Sequence, residues 1–180
     1  MIHRRARLLG TMTIQTFKRT VFPVQAKLFR LAKTMLPDEE DAEDTVQEAL
    51  LKLWQNRQNL THYRSIEALA IVITKNLCYD KLKSSHRQRM VPLLPTDDTA
   101  GPDNPYQHTE QSDSALLLRQ LMARLPEQQR LVIHLRDVEE YSYEEIEQLT
   151  GLCVNNIRVA LSRARRSVRE MYTKVNAYGS

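Results

Sequence analysis

Between Met90 and Asp113 the chain loses every sign of regular structure: Val91-Pro92-Leu93-Leu94-Pro95, Gly101-Pro102 and Asn104-Pro105 interrupt a polar stretch without helical period. Proline has no N–H to donate and pushes the residue before it toward extended backbone, so no helix can run through such a segment. The chain must fold as two units joined by a flexible linker over 90–113. On both sides of it apolar residues recur at three- and four-residue steps, the period of a helix. Glycine is scarce, at 4 of 180 residues, and aromatics make up 6%, a balance that suits helices better than strands. The expectation is an all-α protein of two small helical domains.

In the first unit, residues 14–36 place Ile14, Phe17, Val21, Val24, Leu28, Leu31, Ala32 and Met35 on one stripe, with Pro23 expected to bend or restart the helix. Pro37 followed by Asp38, Glu39, Glu40 and Asp41 reads as a second helix start, because a proline and nearby carboxylates suit the positive N-terminal end. That helix runs to about Gln55 and should bury Ala42, Val46, Ala49, Leu50, Leu53 and Trp54. A polar loop over 56–65 follows, then a third helix carrying Ile66, Leu69, Ala70, Ile73, Leu77 and Leu82. These three make a compact bundle.

In the second unit, one helix spans Ser114 to Leu125 and Pro126 opens the next, through Leu131, Val132, His134 and Leu135. Ser142 with Glu145 three residues on is a capping box, and Gly151 is a stop. A basic helix from Val154 to Met171 comes next, so a short helix, a glycine turn and a longer helix form a helix-turn-helix pattern. On the basic helix Ile157, Leu161, Ala164 and Val168 face inward, leaving Arg158, Arg163, Arg165 and Arg166 outside. Arginine pairs with guanine edges and asparagine with adenine edges in the major groove, so Asn155, Asn156 and these arginines are candidate DNA contacts; a solvated basic face is the plainer alternative.

Charge alternates along the chain. Residues 1–36 hold eight Lys and Arg and no acid, 37–61 are net acidic, and 151–180 hold six Lys and Arg against one Glu. Such a chain can touch nucleic acid in several places while offering acidic faces to a protein. No apolar run approaches a membrane span, and no secretory leader is apparent in the basic first residues, so a cytoplasmic protein without membrane insertion is expected. Cys78 and Cys153 lie far apart and the five histidines are scattered, which gives no metal site and no disulfide framework. A phosphate-binding glycine loop is absent, as is a nucleophile, base and orienter set. No cofactor, metal or catalytic residue is expected, and the chain is read as a non-enzyme.

Taken together, three stretches carry a resemblance. Asp41-Ala42-Glu43-Asp44-Thr45-Val46-Gln47-Glu48-Ala49-Leu50-Leu51-Lys52-Leu53-Trp54 is similar to the region 2.2 motif of sigma factors. Ile66 to Lys83, with Ile73-Thr74-Lys75-Asn76-Leu77-Cys78-Tyr79-Asp80, resembles the part that melts and reads the promoter's minus-10 element. Leu125-Pro126-Glu127-Gln128-Gln129-Arg130, Tyr143-Glu144-Glu145-Ile146 and Leu161-Ser162-Arg163-Ala164-Arg165 resemble region 4. The match covers about 14–85 and 114–172 and points to the small, two-domain extracytoplasmic-function type of the sigma-70 family. It implies a disordered start (1–13), a region 2 bundle of three to four helices (14–89), the linker (90–113), a region 4 helix-turn-helix (114–174) and a tail (175–180).

The resemblance also implies roles. Asp44, Gln47, Glu48 and Trp54 correspond to the helix that grips core RNA polymerase. Asn59, Tyr63 and Arg64 fall in the loop that captures a flipped minus-10 base, and Lys75, Asn76, Lys83 and Arg87 fall where the family meets the non-template strand. Asn155, Asn156, Arg158, Arg163 and Arg165 fall where region 4 reads the minus-35 element. Partners would be core polymerase, promoter DNA and an anti-sigma factor. Three positions depart from the pattern: Leu69 stands where many relatives have an aromatic, Cys153 where a serine usually caps the recognition helix, and Ala160 where a basic residue is frequent. The residues themselves leave open a stand-alone helix-turn-helix regulator or a helical adaptor that binds protein only.

Overall fold

A computed structural model describes residues 12–90 and 113–177. Most of the expected linker and disordered start, and half of the expected tail, lie outside the described residues, while Met90 and Asp113 at the linker's ends are helical. Where the expectation can be compared it shifts: Met12 is buried and the Thr13 hydroxyl accepts the Thr16 N–H, capping the first helix, while residues 175–177 continue the last one. Among the described residues seven α-helices and no strands are found.

Helix α1 (Ile14–Met35) buries Phe17, Val21, Val24, Leu28, Leu31, Ala32 and Met35 as the stripe requires, but Ile14 is left 58% exposed at the first turn. The helix does not restart at Pro23. A proline inside a helix costs about 3 kcal/mol, whereas each fully buried aliphatic side chain contributes about 1.5–3 kcal/mol; the stripe on both sides of Pro23 outweighs the lost hydrogen bond. Helix α2 (Glu39–Gln55) starts two residues later than a helix with Pro37 as its first residue would. Asp38 is its cap, its carboxylate accepting the Glu40 and Asp41 N–H groups at 2.7 and 3.2 Å. Leu50 and Trp54 are half-buried rather than core, and Thr45 is buried in their place, its hydroxyl donating to the Asp41 carbonyl.

The expected polar loop contains a 3-10 turn, Arg57–His62, pinned by the buried Leu60. Helix α3 (Ile66–Met90) runs past Lys83 to the edge of the expected linker. Ile71 and Cys78, which fall off the predicted stripe, are buried on it. Burial pushes the Cys78 thiol up to about 12, so it stays protonated and unreactive.

The second unit comprises α4 (Asp113–Ala123), α5 (Glu127–Ile133), α6 (Tyr143–Thr150) and α7 (Val154–Ala177). Its element order follows the sequence reading, with one addition: α5 continues as a π-helical turn, His134–Val138. The backbone leaves that turn through Glu140, a non-glycine residue at φ +60°, with Tyr141 N–H returning to the Leu135 carbonyl at 3.0 Å. This left-handed residue swings Glu139 and Tyr141 toward the first unit.

The two units close over one continuous apolar core. α1 is the element they share. Flanking its apolar stripe it offers Lys27, Arg30 and Thr34. Arg30 forms two parallel bonds to the Glu139 carboxylate at 2.7 and 2.8 Å. Lys27 reaches Glu67 of α3 at 2.6 Å and the Tyr141 hydroxyl at 3.2 Å, and that hydroxyl also donates to Glu67. Arg130 of α5 donates to the Met35 carbonyl at the end of α1 at 3.2 Å. His134 is buried beside Thr34, whose hydroxyl lies 3.0 Å from Nδ1, while Nε2 has no hydrogen-bond partner and lies 3.6 Å from Glu139.

Two measurements probe these features. Glu140→Gly should stabilise the protein by up to about 1 kcal/mol in urea unfolding, since an L-residue in left-handed backbone costs roughly 1–2 kcal/mol that glycine avoids. Gly151→Ala should cost a similar amount, because Gly151 has φ +76° but open space around it, so only backbone conformation is penalised. Burial, partly opposed by Glu139, pushes His134 down to about 4. The unfolded chain, with an ordinary histidine near 6.5, then binds the extra proton first. Stability from this group should therefore be complete above about pH 6.5 and fall by about 1.4 kcal/mol per unit as pH drops toward 4. The unfolding profile of His134→Gln should lack that slope, so the difference between the two profiles isolates it.

Candidate nucleic-acid and protein interfaces

The helix-turn-helix is built locally. Ser142 accepts the Glu145 N–H at 3.1 Å and Glu145 accepts the Ser142 N–H at 2.8 Å, closing the capping box that starts α6. Gly151 ends α6, and the Glu147 carboxylate accepts the Val154 N–H at 3.1 Å, so a side chain from the preceding helix serves the first turn of α7 while Cys153 is exposed. Ile157, Leu161 and Ala164 are buried and hold α7 against α5 and α6; Val168 packs at the margin, and Ala160 is buried too.

Outward from this seat, Asn155 and Asn156 are exposed in the first turn of α7. Arg158, one turn on, is exposed with its guanidinium 5.2 Å from the Tyr143 ring centroid, which orients it. Arg163 is exposed. Arg165 differs: it is held by Asp137 in two parallel bonds of 2.9 and 2.6 Å, which raise its pKa. The Nε–Nη2 edge of its guanidinium is thus occupied by a carboxylate. Arg166 pairs with Glu170 on its own helix.

The first unit presents a second cluster. Asn59, Tyr63 and Arg64 are exposed around the 3-10 turn, Tyr63 at 50%. Tyr63, Arg64 and the half-buried Leu69 line a cleft of about 730 Å³ whose far wall is Tyr141, Glu145, Gln148 and Leu149 of the second unit. Lys75 is turned into the same junction. It is half-buried, its Nζ donates to the Leu149 carbonyl at 3.0 Å, and burial lowers its pKa. Asn76 and Lys83 are exposed further along α3, while the side chain of Arg87 lies outside the described ones.

A third face lies on α2. Asp44, Gln47 and Glu48 are all exposed. Asp44 is 4.0 Å from Lys81 of α3, which is held more closely by Asp41 at 2.7 Å. Trp54, half-buried, lies further along α2. Its ring packs edge-on to Phe17, centroids 5.1 Å apart, and Arg57 covers it at 4.3 Å. Sequence reasoning missed Arg57, and also Lys27, Arg30, Glu67, Glu139 and Tyr141, whose contacts join residues 40 to 114 positions apart. No local period could have signalled them.

No helix among the described residues is long and apolar enough to cross a membrane. Comparison with known proteins gives two family matches: Sigma-70 region 2 over residues 23–88 and Sigma-70, region 4 over residues 115–168. The chain is 29% identical over 150 residues to the ECF RNA polymerase sigma factor SigE of Mycolicibacterium smegmatis, covering 82% of this chain and 58% of that one. It is 28% identical over 155 residues to the RNA polymerase sigma-E factor of Streptomyces coelicolor, covering 86% and 84%. The sigma factor RpoE of Bartonella quintana, solved in complex with the anti-sigma factor NepR, shares the fold with a TM-score of 0.72 at 22% identity, covering 89% of this chain and 98% of that one. With region 2 and region 4 in the expected order along the chain, it belongs to the sigma-70 family, among its extracytoplasmic-function RNA polymerase sigma factors.

Proposed function

We propose that the protein binds core RNA polymerase in the cytoplasm and directs it to particular promoters, with α2 as the polymerase grip, the Asn59–Arg64 segment and α3 as the minus-10 reader, and the start of α7 as the minus-35 reader. The observation that carries this is one chain holding a solvent-facing acidic patch, Asp44 and Glu48 with Gln47 between them, and a separate basic helix start on a helix-turn-helix. An acidic face repels DNA and suits a basic protein groove; a helix start bearing Asn155, Asn156 and Arg158 suits the major groove. A stand-alone regulator would need only the second. The chain itself is not an enzyme: nucleotide addition belongs to the polymerase, and the sigma factor contributes binding energy that offsets the few kcal/mol needed to unstack a base. The NepR complex of the B. quintana relative supports an anti-sigma partner for this chain as well.

Within α7, Arg158 and Arg163 are the readers we favour, with Asn155 and Asn156 beside them; Arg165, engaged by Asp137, steadies the fold or contacts phosphate. Leu69 in place of an aromatic shifts base capture onto the loop, where Asn59, Tyr63 and Arg64 would do the holding.

Co-purification with core polymerase and transcription from a promoter library tests the whole reading; no complex with core would end it. Asp44→Lys combined with Gln47→Ala should weaken core binding at least tenfold without loss of helix content, because both side chains are exposed. Arg158→Ala should cost about 1–3 kcal/mol at a selected minus-35 site and much less on unrelated DNA; an equal loss on both would reassign it to the phosphate backbone. Arg165→Ala should have the smaller sequence-specific effect of the two.

A further inference from the structure

We infer that the free protein covers its own minus-10 reading surface with its second domain, held by a polar latch between α1 and the Glu139–Tyr141 bend. This inference rests on the minus-10 assignment above. The cleft beside Tyr63 and Arg64 is closed on its far side by α6, not by solvent. Lys75, expected to meet the non-template strand, donates instead to the Leu149 carbonyl of α6. Glu67 and Glu145, both in the cleft wall, would oppose a phosphate chain entering there. A single strand and α6 therefore compete for one surface.

The hold is specific but divisible. Arg30 clasps Glu139 in a two-bond fork, and Glu139 is 3% exposed against Arg30 at 51%. Lys27, Glu67 and Tyr141 form the second part, with Lys27 also 4.9 Å from the Tyr141 ring centroid. The Lys27–Glu67 pair is open to water and contributes little by itself, and separation returns the buried Glu139 carboxylate to water together with Arg30, so the closure can be released by a partner that binds either domain in a separated arrangement. None of Lys27, Arg30, Glu139 or Tyr141 belongs to the surfaces assigned to polymerase or DNA, which makes the latch separable from function by mutation.

The test uses the full chain and charge-opposed variants. Arg30→Glu and Glu139→Arg each break the fork but change net charge in opposite directions; the double swap restores both fork and charge. Tyr141→Phe loosens the second part with no charge change. The radius of gyration by small-angle X-ray scattering and the affinity for a fluorescent random-sequence 20-nucleotide single strand are measured for each free protein. Both single variants should expand and bind the strand several-fold more tightly, Tyr141→Phe should move the same way to a smaller degree, and the double swap should return toward the parent. Affinities that move in opposite directions for the two single variants, following net charge, would overturn the inference. So would unchanged dimensions in both. Core polymerase binding is measured in parallel: expansion with tighter strand binding but no affinity for core in any variant would leave self-covering intact and remove the sigma-factor reading instead.

Discussion

Helix α1 has two sides to satisfy at once, and the rest of the molecule is arranged by that requirement. Its apolar stripe, from Phe17 to Met35, is buried against α2 and α3 and makes the first domain's core. The flank beside that stripe carries Lys27, Arg30 and Thr34, side chains that pair in place of packing, and these meet Glu67, Glu139, Tyr141 and His134. Hydrophobic burial fixes one side almost irrespective of detail. The polar side demands specific partners at specific distances, since a buried group left without one is costly. A single helix thus joins a permanent core to a contact that is selective and divisible.

Much of this architecture was legible in the sequence because its causes are local. The capping box at Ser142 and Glu145, the stop at Gly151 and the inward residues Ile157, Leu161 and Ala164 depend on neighbours a few positions away. The misreadings share a different cause. Pro23 was expected to bend or restart α1, and of these the restart does not occur, because tertiary packing overrides its local cost. Ile71 and Cys78 lie off a stripe drawn for a helix with one buried side, and they are buried because α3 packs against α1, α2 and α6 together. The π-helical turn after Ile133 and the left-handed Glu140 carry no glycine, proline or asparagine that would announce them.

The candidate DNA-reading residues divide in the same way. Their presence on exposed helix surface follows from periodicity, as for Asn155, Asn156, Arg158 and Arg163. Their availability does not, because it depends on partners distant in sequence. Asp137 engages Arg165 from 28 positions away and Leu149 engages Lys75 from 74. Trp54 shows the same limit from the other direction: its edge contact with Phe17 ties it into the packing of the first unit, which its place in a recognised motif did not announce.

Trp54 is the chain's one tryptophan, lodged between a ring edge and a guanidinium in the first domain. Its emission is therefore a gauge of that domain alone. A fluorescence signal would register loosening of α1 from α2 and be nearly blind to the helix-turn-helix, whose optical signature comes from tyrosines such as Tyr143 and Tyr172 and from helical circular dichroism. The molecule carries its own spectroscopic partition, by which the order of events in its two halves can be followed without attaching a dye.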